Sequence, residues 1–457
     1  MTTALAALLI FLALQLGIGI WVSRRIATES DYLLGGRRLG YLLTTVSIFA
    51  TWFGAETVIG SSASVYGEGL SLASAEPFGY GLCLILMGAI LARPLWNRGL
   101  TTLADLYQQR FGTGVERLAA VLLIPSSILW GAAQVRAFGQ VIASASTIHF
   151  ELAIGLAALF TIAYTAFGGL LADAITDVIQ GGILAFGLIA MLVAVILRVG
   201  GPAEAWQILA STDRINLSPA AAGHWLETLE AWAIPVCGSL AATEVVGRVI
   251  AARSPQVAQR SSFAAGGLYL AIGSIPVLIA LLGGALVVGT LADPEQLLPT
   301  IAQEVLPTAL FAIFTGGLIS AILSTVDSTL LMAAGILSHN LIVPLAKITD
   351  ERRKVRVARF GVIGFGVIAY LLALNSNGVF ALVEQASAFG SSGILVTVLF
   401  ALFTPWGSPR TAAATLIGGL VVYLAGSFAG LTAPYIVSLG ASLLIWGIGC
   451  AIDSAAS

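Results

Sequence analysis

Long apolar stretches recur along almost the entire chain, and they restrict its fold more than any other feature. A helix that crosses a bilayer needs about 20 mostly apolar residues. Stretches of this kind centre near residues 4–23, 40–67, 71–92, 118–145, 149–167, 172–197, 225–250, 263–290, 306–343, 357–374, 378–405, 411–428 and 433–452. The sequence therefore predicts an all-α integral membrane protein with about 13 transmembrane helices, folded as one unit over residues 1–457.

The composition supports this interpretation and excludes several classes of protein. Hydrophobic residues make up 58% of the chain and charged residues only 10%, whereas a soluble domain carries about 25% charged residues. The 21 Lys and Arg residues nearly balance the 23 Asp and Glu residues, so no net charge favours a nucleic-acid partner. The three cysteines and three histidines lack metal-ligand spacing. We expect neither a metal centre built from them nor an organic cofactor.

The distribution of basic residues predicts how the chain is oriented. Cytoplasmic loops of membrane proteins are enriched in Lys and Arg. If the N-terminus is outside, 18 of the 21 Lys and Arg residues fall in inside segments. The first stretch has no basic n-region or cleavage site, which favours a retained helix over a signal peptide. We therefore expect a multi-pass protein of the cell (inner or plasma) membrane, with the N-terminus outside and the C-terminus in the cytoplasm.

Two of the predicted helices are interrupted. The second contains the run WFGAE at 52–56, and the seventh has Pro235 and Gly238 ahead of Glu244. Unwound backbone supplies carbonyl groups and helix ends, so paired broken helices indicate a transporter site near the midplane.

The interrupted helices begin two comparable blocks, residues 40–199 and 225–405, each with five predicted helices. Because five is odd, the second block must lie inverted relative to the first. One leading helix over residues 4–23 and two trailing helices over 411–452 complete the predicted arrangement.

Several ionisable residues fall within the apolar stretches, where each charge costs about 2.5–3.5 kcal/mol on insertion scales. They are Glu56, Glu76, Arg136, Asp177, Glu244, Asp327 and Glu384. One arginine cannot neutralise six acids. Cations from solution are therefore the expected partners of these groups.

The ninth predicted helix carries a line of oxygen atoms. Ala321, Ser324, Thr325 and Ser328 share one face at spacings of three and four, and Asp327 adds a formal charge. Hard cations take several oxygen ligands, so two hydroxyls and carbonyls from a broken helix would suit sodium. The alternative is that these hydroxyls bond only to carbonyls of their own helix.

Four segments together resemble the sodium/solute symporter family, with the nearest-looking features in its choline-like branch. They are SDYLLGGR at 30–37, ATWFGAE at 50–56, YTAFGGLLADAITDVIQ at 164–180 and STVDS at 324–328. The resemblance covers nearly the whole chain. It implies a LeuT-type fold, in which two inverted five-helix repeats follow one leading helix and precede further helices.

The resemblance also implies ion sites. The sodium site of the family would use the backbone carbonyls of Ala50, Phe53 and Ala321 and the hydroxyls of Ser324 and Thr325. A second sodium site, described for some members, would use Asp177 with Ser324, Asp327 and Ser328.

The resemblance places the substrate cavity beside the two broken helices. Its expected lining is Trp52, Glu56, Thr57, Glu76, Trp130, Arg136, Glu244 and residues 387–392. Trp52 and Trp130 resemble the aromatic cage of the choline branch, which would attract a quaternary ammonium by cation–π interaction. Ala242 stands where that branch has a third tryptophan. Arg136 would either clamp a substrate carboxylate or pair internally with Glu76 or Glu56.

The sequence thus predicts a sodium-coupled secondary active symporter that imports a small polar organic solute by alternating access. The alternatives are zwitterion, amino-acid or quaternary-ammonium uptake with proton coupling, and a transporter-like membrane sensor. A channel is disfavoured because the intramembrane polar residues cluster at the midplane. An enzyme is disfavoured because no Ser-His or metal constellation is present. The expected partners are the solute, sodium and the lipid bilayer, and the oligomeric state stays open.

Overall fold

The structure, a computed structural model, describes residues 13, 15–145, 148–218, 223–284, 286, 291, 294–376 and 379–456. Residues 15–23 are helical, whereas residues 4–12 and 14 of the predicted leading helix lie outside the described residues. The helices that follow are α1 (Glu29–Leu34), α2 (Tyr41–Trp52), α3 (Glu56–Glu68), α4 (Phe78–Asn97), α5 (Ala104–Phe111), α6 (Thr113–Ala145), α7 (Phe150–Arg198), α8 (Pro202–Ser211), α9 (Trp225–Ala233, continued by a π-helical turn over Ile234–Gly238), α10 (Thr243–Ala251), α11 (Pro255–Gly283), α12 (Leu297–Val305), α13 (Thr308–Leu345), α14 (Glu351–Asn375), α15 (Val379–Ala388), α16 (Ser391–Phe403), α17 (Pro409–Phe428) and α18 (Pro434–Ala456).

Most of these helices are suited to a bilayer. Ten helical segments among the described residues are long and apolar enough to cross a membrane, and α2 with α3 forms one further span that is bent by 59°. Helix α7 contains 49 residues, or roughly 74 Å at 1.5 Å per residue, more than twice the hydrocarbon thickness of about 30 Å. It must therefore cross twice, as the sequence predicted for 149–167 and 172–197. The count of thirteen stays a prediction, because the leading helix is only partly described.

The turn that divides α7 is made by Gly169. Its backbone has φ +61° and ψ −179°, a conformation that side-chain-bearing residues rarely adopt. A Cβ added at Gly169 would lie 2.8 Å from both the ring and the carbonyl oxygen of Tyr32 in α1. The hydroxyl of Tyr32 in turn donates to the carbonyl of Thr165 at 3.2 Å. The glycine therefore lets the two halves of α7 separate while α1 packs into the turn.

Within the described ranges, three membrane segments are interrupted by non-helical residues. The break between α2 and α3 and the turn between Gly238 and α10 confirm the two interruptions that the sequence predicted. A third was not predicted, because the sequence favoured a continuous helix over 378–405. Gly390, with φ +69°, separates α15 from α16 there, since a left-handed residue cannot continue a right-handed helix.

Helix α13 lies at the centre of the molecule. Every residue from Gly317 to Ile336 is buried, and the helix packs against α2, α6, α7, α10 and α14. Two predicted loops contain additional structure, helices α8 and α12. Strand β1 (Leu70–Ser71) pairs in parallel with β2 (Ile215–Asn216). The inverted relation between residues 40–199 and 225–405 stays a prediction.

We expect Gly169→Ala to lower the melting temperature of the purified protein. The substitution combines a backbone conformation that costs about 1–3 kcal/mol with the steric clash against Tyr32. Gly182→Ala in the same helix is the matched control, because its added Cβ would have no neighbour within 4 Å and alanine favours a helix. Equal melting temperatures for the two variants would contradict this role of Gly169.

Candidate functional site

The break between α2 and α3 is held by side chains from other helices. The hydroxyl of Tyr269 donates to the carbonyl of Trp52 at 3.0 Å. The backbone N–H of Ala55 donates to Oε1 of Gln134 at 3.2 Å. Lipid offers no partner for backbone groups that leave a helix, so these two contacts make the break stable inside the membrane.

The broken segment brings oxygen atoms of α2 against α13. Ser324 Oγ lies 3.5 Å from the carbonyl oxygen of Ala50, and Thr325 Oγ1 lies 3.2 Å from the carbonyl oxygen of Ala321. Oxygen ligands at about 2.3–2.6 Å from one hard cation are themselves roughly 3–4 Å apart. Phe53, with φ −79° and ψ 60°, ends the helical part of α2. The structure thus places Ser324 next to the Ala50 carbonyl, whereas the Thr325 hydroxyl donates to its own helix. A sodium site at these residues stays a prediction.

Gly54 permits this close approach. A Cβ at Gly54 would lie 2.7 Å from Gln134 Oε1, 2.9 Å from Glu56 Oε2 and 3.0 Å from Thr325 Oγ1. Any side chain at this position would therefore push the break away from α13.

Asp177 on α7 lies directly beside this oxygen cluster. One of its carboxylate oxygens accepts a hydrogen bond from Ser324, and the other accepts one from Ser47 at 2.5 Å. Both Asp177 and Ser324 are fully buried. A formal negative charge consequently lies one hydroxyl away from the predicted sodium position.

Arg248 is a second buried ionisable residue, and it was not predicted as one. It is among the 18 basic residues that were assigned to inside segments. The side chain of Arg248 is fully buried and forms an ion pair with Asp173. Its Nε donates to Ser47 at 3.0 Å, and its guanidinium group lies 3.9 Å from Asp177. The sequence did contain a signal for these two residues. Asp173 lies four residues before Asp177, and Arg248 lies four residues after Glu244, so each shares a helix face with an acid that was predicted as a site residue.

The residues expected at a second sodium site are only partly gathered. Arg248 donates to Ser328, and Ser328 donates to the carbonyl of Ser324 at 2.7 Å. Asp327 instead accepts from Thr165 at 2.5 Å. The positive charge of Arg248 therefore already lies beside Ser328, and Asp327 has a different partner.

A cavity of about 190 Å³ adjoins the broken helices on the side of the loop that contains β1. Three acids, Glu56, Glu76 and Glu384, contribute to its lining. Among the described residues, no lysine, arginine or histidine lines it. The cavity therefore presents three carboxyl groups as hydrogen-bonding partners, with no basic side chain among the described residues.

An aromatic cluster lies next to the cavity. Tyr80 lines the cavity, and its ring lies 5.4 Å from Trp52 and 5.8 Å from Trp130, measured between ring centroids. The two indole rings stack on each other at 6.0 Å with an interplanar angle of 12°. The hydroxyl of Tyr80 lies 3.1 Å from that of Ser387. The predicted tryptophans and the 387–392 segment are thus close together, whereas Tyr80 was not predicted as a site residue.

Two of the predicted acids are held by hydrogen bonds. Gln134 Nε2 donates to Glu56 Oε2 at 2.6 Å, and Thr57 Oγ1 donates to Glu76 Oε1 at 2.7 Å. Thr57 is fully buried and also contacts the hydroxyl of Tyr269. Thr57 therefore positions Glu76 and does not itself line the cavity.

Glu244 lies in a separate, smaller cavity of about 20 Å³. Trp130, Ser239 and Ala242 also line that space, and Ser127 donates to the Glu244 carboxylate. Among the described residues, neither Glu244 nor Trp130 lines the larger cavity.

Arg136 does not reach either cavity. Its guanidinium group donates to the carbonyl of Ala373 at 3.0 Å and lies over the ring of Phe150 at 5.1 Å. The expected pairing of Arg136 with Glu76 or Glu56 is not formed. Spacing along a helix could not decide this, because it does not show which neighbouring helix faces a side chain.

A polar network connects the end of α13 to the segments before α2 and α6. His339 lies 3.0 Å from Glu29 and 3.4 Å from Asp105. Burial acts to raise the pKa of Asp105, but hydrogen bonds from His339 and from two backbone N–H groups ahead of α5 keep that pKa below its ordinary value. Asp105 is therefore an ionised anchor for this end of α13.

The fold has a clear counterpart among solved structures. A Na+-coupled sialic acid symporter, described in a substrate-bound outward-open state, matches with a TM-score of 0.88 and 19% identity, over 99% of this chain and 98% of that one. The expectation of a LeuT-type membrane transporter fold is thereby confirmed.

The model of the sodium:solute symporter family matches residues 32–419, and the chain belongs to that family. The human high affinity choline transporter 1 is 28% identical over 450 residues, which cover 92% of this chain and 76% of that protein. The sodium/proline symporter of Haemophilus influenzae is 27% identical over 422 residues, covering 86% and 82% respectively. The protein is thus a membrane transporter and not an enzyme, with Na+ as its coupling ion.

We expect Arg248→Ala to destabilise the protein strongly, because it leaves Asp173 buried without its ion-pair partner. Breaking a buried pair costs about 3–5 kcal/mol. Adding Asp173→Asn to Arg248→Ala removes the unpaired charge and should restore part of the melting temperature. The control is Arg353→Ala, whose exposed pair with Asp350 should matter little. If Arg248→Ala melts like the control, the buried pair does not support the fold.

Proposed function

We propose that the protein imports a small organic cation together with sodium. The observation that carries this proposal is the cavity lining, which contains Glu56, Glu76 and Glu384 but no basic residue among those described. Its volume of about 190 Å³ is below the range of roughly 300–1,000 Å³ typical of drug-sized ligands, so the solute is small. The similarity to choline transporters points in the same direction, because choline is itself an organic cation.

The coupling ion is proposed to bind between α2 and α13. Its ligands are the carbonyl oxygens of Ala50, Phe53 and Ala321 and the hydroxyls of Ser324 and Thr325. The 3.5 Å contact between Ser324 Oγ and the carbonyl oxygen of Ala50, which joins α13 to α2, supports the assignment. We propose Asp177 as the charge that attracts sodium to this position. Asp327 and Ser328 remain candidates for a second sodium only if Arg248 moves away.

This arrangement explains how sodium and solute reinforce each other. Sodium holds the broken segment of α2 and α3 against α13, and the same segment carries Glu56 into the solute cavity. An ion that stabilises this geometry raises the affinity for the solute, and by linkage the solute raises the affinity for the ion. The membrane potential adds about 2.3 kcal/mol per charge per 100 mV to inward movement.

Transport is proposed to follow alternating access between two five-helix halves, residues 40–199 and 225–405, in the cell membrane. The distribution of Lys and Arg supports an outside N-terminus and a cytoplasmic C-terminus. With this orientation, the cavity beside β1 faces the outside and the His339 network faces the cytoplasm.

Ser324→Ala and Thr325→Ala should each raise the sodium concentration needed for half-maximal uptake by roughly tenfold, because an oxygen ligand worth about 1.5 kcal/mol is lost. Ser320→Ala is the matched control. Ser320 lies one turn earlier on α13, where its hydroxyl donates to its own helix at Gly316. Sodium-dependent uptake into proteoliposomes measures the effect. An unchanged sodium dependence in both variants would remove these residues from the site.

The proposed orientation is tested by labelling single cysteines in a variant without the three native ones. A membrane-impermeant maleimide added to intact cells should label Glu204→Cys in α8 but not Arg352→Cys in α14. Both positions are exposed in the structure, so each should react once the cells are permeabilised. If only Arg352→Cys is labelled in intact cells, the protein has the opposite orientation to the one proposed.

A further inference from the structure

The solute cavity is lined by a buried acceptor atom, Oε1 of Glu56, that forms no hydrogen bond of normal geometry among the described residues. The indole N–H of Trp130, also without a partner, is the one side-chain donor near this carboxyl besides Gln134 among those residues. Glu56 lines the cavity and is only 1% exposed. Its Oε2 accepts from Gln134, whereas its Oε1 has no hydrogen-bond partner among the described residues. A buried carboxylate oxygen without a donor costs about 1–3 kcal/mol or more. A bound solute is the natural source of the missing donor.

The neighbouring amide fixes the role of Glu56 as an acceptor. Oε1 of Gln134 accepts the backbone N–H of Ala55 at 3.2 Å, which identifies the opposite end of that amide as its NH2 group. That NH2 group faces Glu56 Oε2 at 2.6 Å. The carboxylate of Glu56 therefore accepts on this side, and its second oxygen is left for the solute.

Glu76 adds a second acceptor to the same cavity. Its Oε1 accepts from Thr57, and its side chain is only half-buried. Carboxylates bind N–H donors of cations through short, charge-assisted hydrogen bonds. Two such acceptors in one small space fit a cation that carries several N–H groups.

The aromatic cluster of Trp52, Trp130 and Tyr80 does not form a complete binding site for a quaternary ammonium group. A quaternary ammonium is bound by the faces of several aromatic rings. Here Trp52 and Trp130 stack on each other with their centroids 6.0 Å apart, which leaves no room for a cation between their faces. Ala242, at the third position of the cage, supplies no ring. The aromatic box is therefore incomplete.

We propose that the transported cation bears N–H donors, as a protonated amine or an amidinium does, and that Glu56 selects it against quaternary ammonium compounds by accepting one of those N–H groups. This inference rests on the proposed function, because it specifies which organic cation the site takes. A quaternary ammonium has no N–H and would leave Glu56 Oε1 buried and unsatisfied. A site built to hydrogen-bond its substrate discriminates strongly against an analogue that lacks the donor.

The test uses a series in which methyl groups replace the N–H donors one at a time. The probes are ethanolamine, its N-methyl and N,N-dimethyl derivatives and choline, together with the pair butylamine and butyltrimethylammonium. All of these amines and ammonium compounds are cations at pH 7, so the charge stays constant while the number of N–H donors falls from three to zero. The butyl pair has no hydroxyl group that could donate in place of an N–H. Glycerol and glucose serve as neutral solutes. Binding is measured on the purified full-length protein by thermal shift, in sodium and in potassium at equal ionic strength.

We expect sodium-dependent binding to weaken along the series, with the quaternary member at least about tenfold weaker than the primary amine, equivalent to one lost hydrogen bond of about 1.4 kcal/mol. Glu56→Gln should flatten this preference, because a neutral amide is a weaker acceptor than a carboxylate. Glu227→Gln, at an exposed position in α9 that does not line the cavity, should keep the wild-type order. The wild-type series remains informative if Glu56→Gln does not fold.

The remaining outcomes separate this inference from the proposed function. If choline or butyltrimethylammonium binds as tightly as its amine counterpart, Glu56 does not select solutes by accepting one of their N–H groups, and this inference is overturned. The proposed uptake of organic cations would still stand. If a neutral solute protects in sodium and no cation does, the proposed function fails and this inference fails with it. The absence of protection by every probe also counts against both.

Discussion

The membrane leaves no water to hydrogen-bond an unwound backbone, and the architecture of the site follows from that constraint. Phe53 and Gly54 leave the helix between α2 and α3, so the backbone groups freed by this break need partners from the protein or from a ligand. Tyr269 from α11 and Gln134 from α6 supply two of these partners. The break can therefore exist only where several helices converge, and α13 lies at that place. The carbonyl oxygens that remain on the α13 side are the ones proposed to bind sodium.

The buried charges depend on the same convergence of helices. Arg248 from α10 meets Asp173 and Asp177 from α7 beside the hydroxyls of α13. Three carboxyl groups, those of Asp173, Asp177 and Asp327, lie around one arginine and beside the proposed sodium position. In a medium of low dielectric it is costly to ionise a carboxyl group that lacks a cation, so an entering cation would be bound favourably as its partner. Helices α7, α10 and α13 are thus linked through charge as well as through packing.

The solute cavity lies beside an incomplete aromatic cage and is itself lined by carboxyl groups. Trp52 and Trp130 resemble a cage for quaternary ammonium compounds, but Ala242 leaves that cage open and the two indoles stack on each other. Glu56 and Glu76 instead provide acceptors from the break and from the loop before α4.

The sequence by itself determined the class of protein, the membrane-spanning segments and the two main breaks, because a lipid environment imposes a strict length and apolarity on every crossing and makes each exception visible. Its spacing also predicted a line of hydroxyl groups on one helix face near a break, and its resemblance to the family supplied the individual ligands proposed for sodium. Only the tertiary structure decided which side chains from distant segments meet. It placed Arg248 in a buried ion pair, directed Arg136 toward Ala373, separated Glu244 from the larger cavity and brought Tyr80 and Gln134 into the site. Those contacts depend on how each helix is rotated against its neighbours, and periodicity within a single helix does not fix that rotation.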